Sequence, residues 1–238
     1  MAPRPMNLGA ALEQWPTVAD ERSTLETLLQ GWSLARFGDG EFKSAYGREQ
    51  SWQPPSAALA AELREVLWNP APRCAVGIPT MDERGPKIAL WRRLEPKMLP
   101  LLNAGIPYGS AFIGRPDHAP WIIGDEKFIR DLVSLWRGKV VAAVYCPGSI
   151  GGKISRAARQ TRMMLRVECP ELDAYSVIDR LEDQCLEARR NGAELVLISC
   201  GVTATCLANR LARQGMQAID VGTLGKRLLE PVKGDDEA

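Results

Sequence analysis

The segment Arg36-Phe37-Gly38-Asp39-Gly40-Glu41 places two carboxylates two residues apart, with glycines flanking and separating them. Gly38 and Gly40 permit positive φ and close backbone approach. In that conformation Asp39 and Glu41 point at one cation. Hard oxygen ligands suit Mg²⁺ or Mn²⁺, and Mg²⁺ is usually held by one or two carboxylates together with substrate phosphates. Arg36 can reach a phosphate or pair with one of the acids. The same tripeptide also makes an ordinary tight turn with solvated acids, and short acidic glycine turns are common.

A second segment, Ser199-Cys200-Gly201-Val202-Thr203-Ala204-Thr205, follows an apolar run and opens a helical pattern. Gly201 can make the tight turn, and Thr203 or its neighbour can cap the helix. Free backbone N–H groups at such a start bind anions. The segment is neither a Walker loop nor a GxGxxG fingerprint, and a plain strand–turn–helix connection accounts for it equally well. A third segment, Cys146-Pro147-Gly148-Ser149-Ile150-Gly151-Gly152-Lys153, has glycines that can wrap a phosphate while Lys153 or Arg156 neutralises it. As a bare pattern it is also a surface loop. The lone histidine, His118 in Pro-Asp-His-Ala-Pro, has the intrinsic pKa of a general base. Most lone loop histidines are simply surface residues, and Asp117 and Glu126 are equal candidates for the base. Trp32, Trp68, Trp91 and Trp136 lie on apolar helical faces, as core residues do. Trp52 and Trp121 lie in proline-rich loops, where an indole can stack on a sugar or a base.

The elements that must position these residues follow from periodicity. Helical patterns cover residues 19–31, 56–68, 86–103, 125–137, 173–191 and 203–214. Pro96 and Pro100 would kink or divide the third of these. Strand candidates are Ser33–Phe37, Cys74–Ile78, Tyr108–Gly114, Val140–Tyr145, Met164–Val167, Leu195–Ser199 and Ala218–Val221, with Arg115–Trp121 a loop. Short unbroken apolar strands separated by helices predict an α/β fold: a Rossmann-like, mostly parallel sheet covered by helices on both faces. Open sheets of this kind bind ligands at the carboxyl ends of their strands, which is where the first two segments fall. No linker or repeat cuts the chain, so residues 1–238 read as one domain. Residues 1–32 form a helical lead-in and Gly234–Ala238 an acidic, frayed tail.

Composition excludes several classes. The 238 residues carry 30 Lys+Arg against 29 Asp+Glu, too balanced for a protein that coats nucleic acid or an anionic membrane. That balance is an average. Lys153, Arg156, Arg159, Arg162 and Arg166 lie in one stretch without an acid, leaving the remainder at a net charge of −4. On a helix the first four would spread over a broad basic face, which suits a donor phosphate or one stretch of a polyanion. No apolar run is long enough to span a membrane, and the start does not read as a signal peptide. The six cysteines form no CxxC pair and sit in apolar surroundings, as buried thiols do in a reducing compartment. Zinc is disfavoured, and the cytoplasm is the expected location.

RFGDGE after a short strand, Arg115 in Phe-Ile-Gly-Arg-Pro, and GVTATCLANRLARQGMQAIDVGTL near the end resemble the GT-D glycosyltransferases. The resemblance spans roughly residues 33 to 224. It implies a GT-D type fold and transfer of a sugar from a nucleotide-sugar donor, UDP-linked, to a hydroxyl acceptor. It also implies that Asp39 and Glu41 hold Mn²⁺ or Mg²⁺ at the donor diphosphate. Arg36, Gly38, Gly40, Arg115, Lys153, Arg156, Gly201, Thr203 and Asp220 would then line the donor site, with His118 a candidate base. Asp220 would bind ribose hydroxyls or simply turn the chain. Val202 stands where the family often has proline, and Thr223 where it often has histidine. These departures keep open a non-catalytic nucleotide-sugar-binding module. A glycan and a hydroxymethylated base in DNA are the acceptors to distinguish. A metal-dependent phosphohydrolase is disfavoured, because one histidine is too few for a two-metal centre.

Overall fold

A computed structural model describes residues 14–113, 115, 117–122, 124–147 and 160–222. Seven parallel strands form one sheet: β1 Ser33–Arg36, β2 Cys74–Ile78, β3 Tyr108–Ser110, β4 Val140–Tyr145, β5 Met163–Glu168, β6 Leu195–Ser199 and β7 Ala218–Asp220. Their order is β3-β2-β1-β7-β6-β4-β5. The expected α/β class is thus observed, with every pair parallel. In-register partners such as Arg36↔Gly77, Ile198↔Asp220 and Tyr145↔Ser199 bring the strand carboxyl ends to one edge. β4 leads outward to β5, whereas its neighbour β6 leads inward to β7. Connections that leave adjacent strands in opposite directions open a crevice at the carboxyl edge.

The helices are α1 Glu21–Leu29, α2 Asp39–Ala45, α3 Ala57–Trp68, α4 Ile88–Met98, α5 Glu126–Ser134, α6 Ile178–Arg190 and α7 Thr203–Arg213. Among the described helices, three starts are capped by side chains: Asp20, Ser56 and Asp125 accept from the backbone N–H of Ser23, Leu59 and Phe128. Helix α3 packs on α7, and α7 on α6 and β1; α1 packs on α5 and β3. The core is continuous across the sheet, from Leu63 and Leu67 of α3 through Leu34, Leu197 and Val144 to Phe128 and Trp136.

Several elements differ from the expectation. The Asp39-Gly40-Glu41 turn is the first turn of α2. The third helical pattern stops at Met98, and a 3₁₀ turn over Leu99–Leu101 carries Pro100; Pro96 stays inside α4. Strand β3 ends at Ser110, four residues early, because Ala111–Ile113 turn away. A 3₁₀ turn, Pro120–Ile122, closes the expected loop. The fifth pattern opens as a 3₁₀ turn over Ala174–Val177 before α6. Arg162 is not helical. It lies just before edge strand β5, pairs with Glu194 at 3.9 Å, and leaves Arg166 inside the strand. Lys153, Arg156, Arg159, the Gly148–Lys153 loop, Thr223, the tail and residues 1–13 of the lead-in lie outside the described residues. All six cysteines are buried. Among the described residues no helix is long and apolar enough to cross a membrane.

Candidate functional site

β1 delivers Arg36 to the carboxyl edge beside β7, which ends in Asp220. The Arg36 guanidinium donates from Nε to the Asp220 carbonyl at 3.0 Å and from Nη1 to the Ala111 carbonyl at 2.9 Å. Its Nη2 lies 3.5 Å from Asp220 Oδ1, and both side chains are largely buried. Thr205, one turn into α7, donates from Oγ1 to the Arg36 carbonyl at 2.7 Å and approaches Asp220 Oδ2 at 3.4 Å. Gly222 makes room for the arginine: a Cβ there would sit 2.0 Å from Arg36 Nη2, and its φ is +48°. Thr205 and Gly222 were not singled out from sequence. Their part depends on contacts with Arg36, which is remote in the chain.

The two acids of the opening motif separate. Gly38 is the N-cap of α2, and its N–H donates to Glu41 Oε2 at 2.7 Å. This holds Glu41 inward, near Asp220 and Arg36. Burial and the Asp220 charge raise the Glu41 carboxyl to about 7, against the opposing pull of Arg36. Burial likewise raises Asp220, while Arg36, Gly222 N–H and Thr205 favour its ionised form. Asp39 lies on the far side of the turn, 51% exposed, and pairs with Lys43 at 2.8 Å. Residues two apart on a helix do not share a face, so Asp39 and Glu41 do not point at one place here. Nor do Gly38 and Gly40 adopt positive φ. Only Gly38 is tight for space: a Cβ there would press on Glu41 Oε2 at 3.1 Å, whereas one at Gly40 would make ordinary contact with Val202, Gln50 and Trp52, at 3.7 Å or more.

Gly40 therefore joins the first motif to the second. Gly201 takes the expected tight turn at φ +61°, and Trp52 lies against it: a Cβ there would be 2.8 Å from the indole nitrogen. The expected cap is absent. Val202 is the N-cap, and Thr203, at the first helical position, is fully buried with no partner for its hydroxyl among the described residues. Gln50 Nε2 is likewise buried without a partner among the described residues. Trp52 is 45% exposed. Val202, Gln50 and Trp52 thus surround Gly40, the neighbour of Glu41 in the first turn of α2.

His118 is not a surface residue. It is 5% exposed, stacked on Phe112 at 4.6 Å between ring centroids, and its Nδ1 accepts from Trp91 Nε1 at 3.1 Å. Burial and the Arg115 charge push its pKa down to about 4. Its ring is held neutral and engaged, which suits a structural role better than a base. Arg115 forks onto Asp117 at 3.0 and 3.1 Å, and Lys87 adds a contact at 2.7 Å. These cations overcome burial and hold the Asp117 carboxyl well below the usual range. Glu126 is exposed on α5, beside Arg130. Trp91 and Trp136 are core as expected, while Trp32 and Trp68 are packed against it only partly buried. Among the described residues no three His, Cys, Asp or Glu side chains are grouped as a metal cage.

Comparison with known proteins agrees with this architecture. The profile of the glycosyltransferase GT-D fold matches residues 34–227. A probable glycosyl transferase of Streptococcus gordonii is 28% identical over 235 residues, covering 91% of this chain and 33% of its own length. The glycosyltransferase GlyD of Streptococcus pneumoniae is 26% identical over 204 residues, covering 80% of this chain and 24% of its own. This chain thus spans a third or less of the length of these relatives. A solved domain described as having a distinct glycosyltransferase fold superposes with a TM-score of 0.75 at 25% identity, covering 88% of this chain and 79% of that one. A Streptococcus sanguinis glycosyltransferase gives 0.73 at 28%, covering 88% and 82%. With the parallel sheet, the acidic turn after β1 and the Gly201 turn before α7 all in place, the chain belongs to the GT-D fold glycosyltransferases.

Proposed function

We propose that the chain moves a sugar from a UDP-linked donor to a hydroxyl of a glycan acceptor, with Mn²⁺ or Mg²⁺ held at Glu41. The observation that carries this is the Glu41–Asp220–Arg36 cluster at the carboxyl edge. It sets the buried Asp220 and the partly buried Glu41, both with raised pKa, around one guanidinium. Such a pair favours a divalent cation, which offsets the mutual repulsion that burial intensifies. Glu41 fits this role as it stands. Asp39 joins it only if its pair with Lys43 opens. A cation held by one or two carboxylates needs donor phosphates to complete its shell, so a full protein cage is not required. When bound, the cation supplies positive charge to the departing β-phosphate.

The chain's own residues do the rest. Arg36, anchored by two backbone carbonyls, presents fixed positive charge to the diphosphate. The first-turn N–H groups of α7, together with Thr203 Oγ1 and Gln50 Nε2, which are buried without a partner among the described residues, support an anionic or hydroxylated ligand near Gly201. Trp52 offers an exposed face for the base or the sugar. No described group stands out as the base, and His118 is engaged with Trp91.

A donor screen tests this reading. The protein is incubated with UDP-, GDP- and TDP-sugars, with and without Mn²⁺, and nucleotide release is measured. UDP release that needs the metal is expected. Glu41→Gln should lower it by about a hundredfold or more, and Asp39→Asn should lower it with the fold intact. Full activity in both variants overturns the metal assignment.

A further inference from the structure

A cavity of about 690 Å³ lies on the β3 side of the carboxyl edge and shares none of the Glu41 cluster. Thr80, Met81 and Asp82, the residues that leave β2, form one wall. β2 is the neighbour of β1, so this wall stands next to the strand that delivers Arg36. A smaller pocket containing Thr80, Asp82, Trp121 and His118 lies between the cavity and the Arg115–Asp117–His118 cluster. Arg36 in turn bonds Ala111 of the turn after β3, on the same side.

The lining has a distinct chemistry. Two indoles face it, and both have their N–H pinned to the protein: Trp15 Nε1 donates to the Pro79 carbonyl at 3.0 Å, and Trp121 Nε1 to Glu21 Oε2 at 2.9 Å. Glu21 is itself buried and accepts from Ser110 Oγ at 2.7 Å, so Trp121 is anchored to the sheet edge. Rings fixed in this way offer aromatic surface at little further cost in conformational entropy. Arg84 covers one face of Trp121, 4.7 Å from the ring centroid, on a side chain that is 73% exposed and forked onto Asp82. Thr80 Oγ1 is buried with no partner among the described residues. Four carboxylates and three guanidiniums line the cavity. Arg22 pairs with Asp125 at 2.5 Å and Arg92 with Glu83 at 2.6 Å.

Near-balanced charge does not suit a phosphate or a polyanion, and a polar lining does not suit a lipid tail. Planar carboxylates and guanidiniums match vicinal hydroxyl pairs, and indole faces match the C–H face of a sugar ring. We propose that this cavity binds the acceptor as a neutral saccharide, packed against Trp121 and hydrogen-bonded by the Asp82–Arg84 fork. The proposal rests on the glycosyltransferase reading above for its role, but the binding chemistry stands apart from it.

The test is therefore twofold. The full chain is applied to a broad array of neutral and acidic oligosaccharides, and the strongest neutral binder is titrated in solution. The same saccharide is then used as acceptor with the UDP-sugar that the donor screen selects, beside UDP release to water alone. Trp121→Ala and Arg84→Ala should each weaken saccharide binding and raise the acceptor KM by about tenfold, with release to water unchanged. Trp121→Phe, which keeps a ring but loses the Glu21 bond, should recover part of the affinity, and thermal melts check that each variant is folded. Absence of any saccharide binding, binding untouched by both alanine variants, or equal loss of water-directed release overturns the proposal. Saccharide binding that depends on Trp121, in a protein that releases no nucleotide, upholds the cavity and removes the donor reading.

Discussion

Glu41 is the carboxyl that its surroundings change most usefully. Burial and Asp220 lift it from an ordinary value of 4.5 to about 7. A carboxyl whose folded pKa is raised holds its proton more tightly in the native state. Its contribution to stability is complete below about 4.5 and is lost as pH rises through about 7. In metal-free buffer, Glu41→Gln should therefore become progressively more favourable relative to the parent between those limits. Melting temperatures of both proteins across pH 4 to 8 check this, and parallel curves would contradict it. At this scale the sequence was informative about residue type. Arg36, Glu41 and Asp220 do converge. The partnership of Glu41 with Asp220 rather than Asp39 was not legible, because it depends on which way a helical turn faces.

Helix α2 was hidden at the element scale. Seven residues with a glycine at the second position have weak intrinsic propensity. The Gly38–Glu41 box was a usable signal, since glutamate three residues after a cap reaches back to the cap N–H. Elsewhere, elements are joined by charge. Arg210 of α7 forks onto Glu62 of α3 at 2.6 and 2.8 Å, and reaches Asp179 at 2.6 Å and Glu182 at 3.3 Å, both on α6. The arginine is one-quarter exposed, which screens the cluster somewhat. Removing it leaves three carboxylates facing one another. Arg210→Met should cost about 2 kcal/mol, read from urea midpoints, with Arg210→Lys recovering part. An unchanged midpoint would show that the cluster contributes nothing. The periodic pattern gave away α7 and α6, but not the ion pairs that tie them to α3.

For the whole molecule, the apolar core runs without a break through the sheet and both helical layers. Unfolding should accordingly be one cooperative transition, with calorimetric and van't Hoff enthalpies in agreement. Two resolved transitions would divide the chain. The sequence by itself determined the class: unbroken apolar strands between amphipathic helices have no low-energy arrangement except a parallel sheet covered on both sides. It also determined that acidic and glycine-rich turns follow strands, hence that they gather at one edge. Only the tertiary structure decided which neighbours meet there. The strand order puts β1 beside β7, so residues almost two hundred positions apart share a guanidinium. It also buries His118 against Trp91 and Phe112, and it assembles the Trp15–Trp121 cavity from three separate segments. Such meetings depend on through-space packing, which residue spacing along a chain does not encode locally.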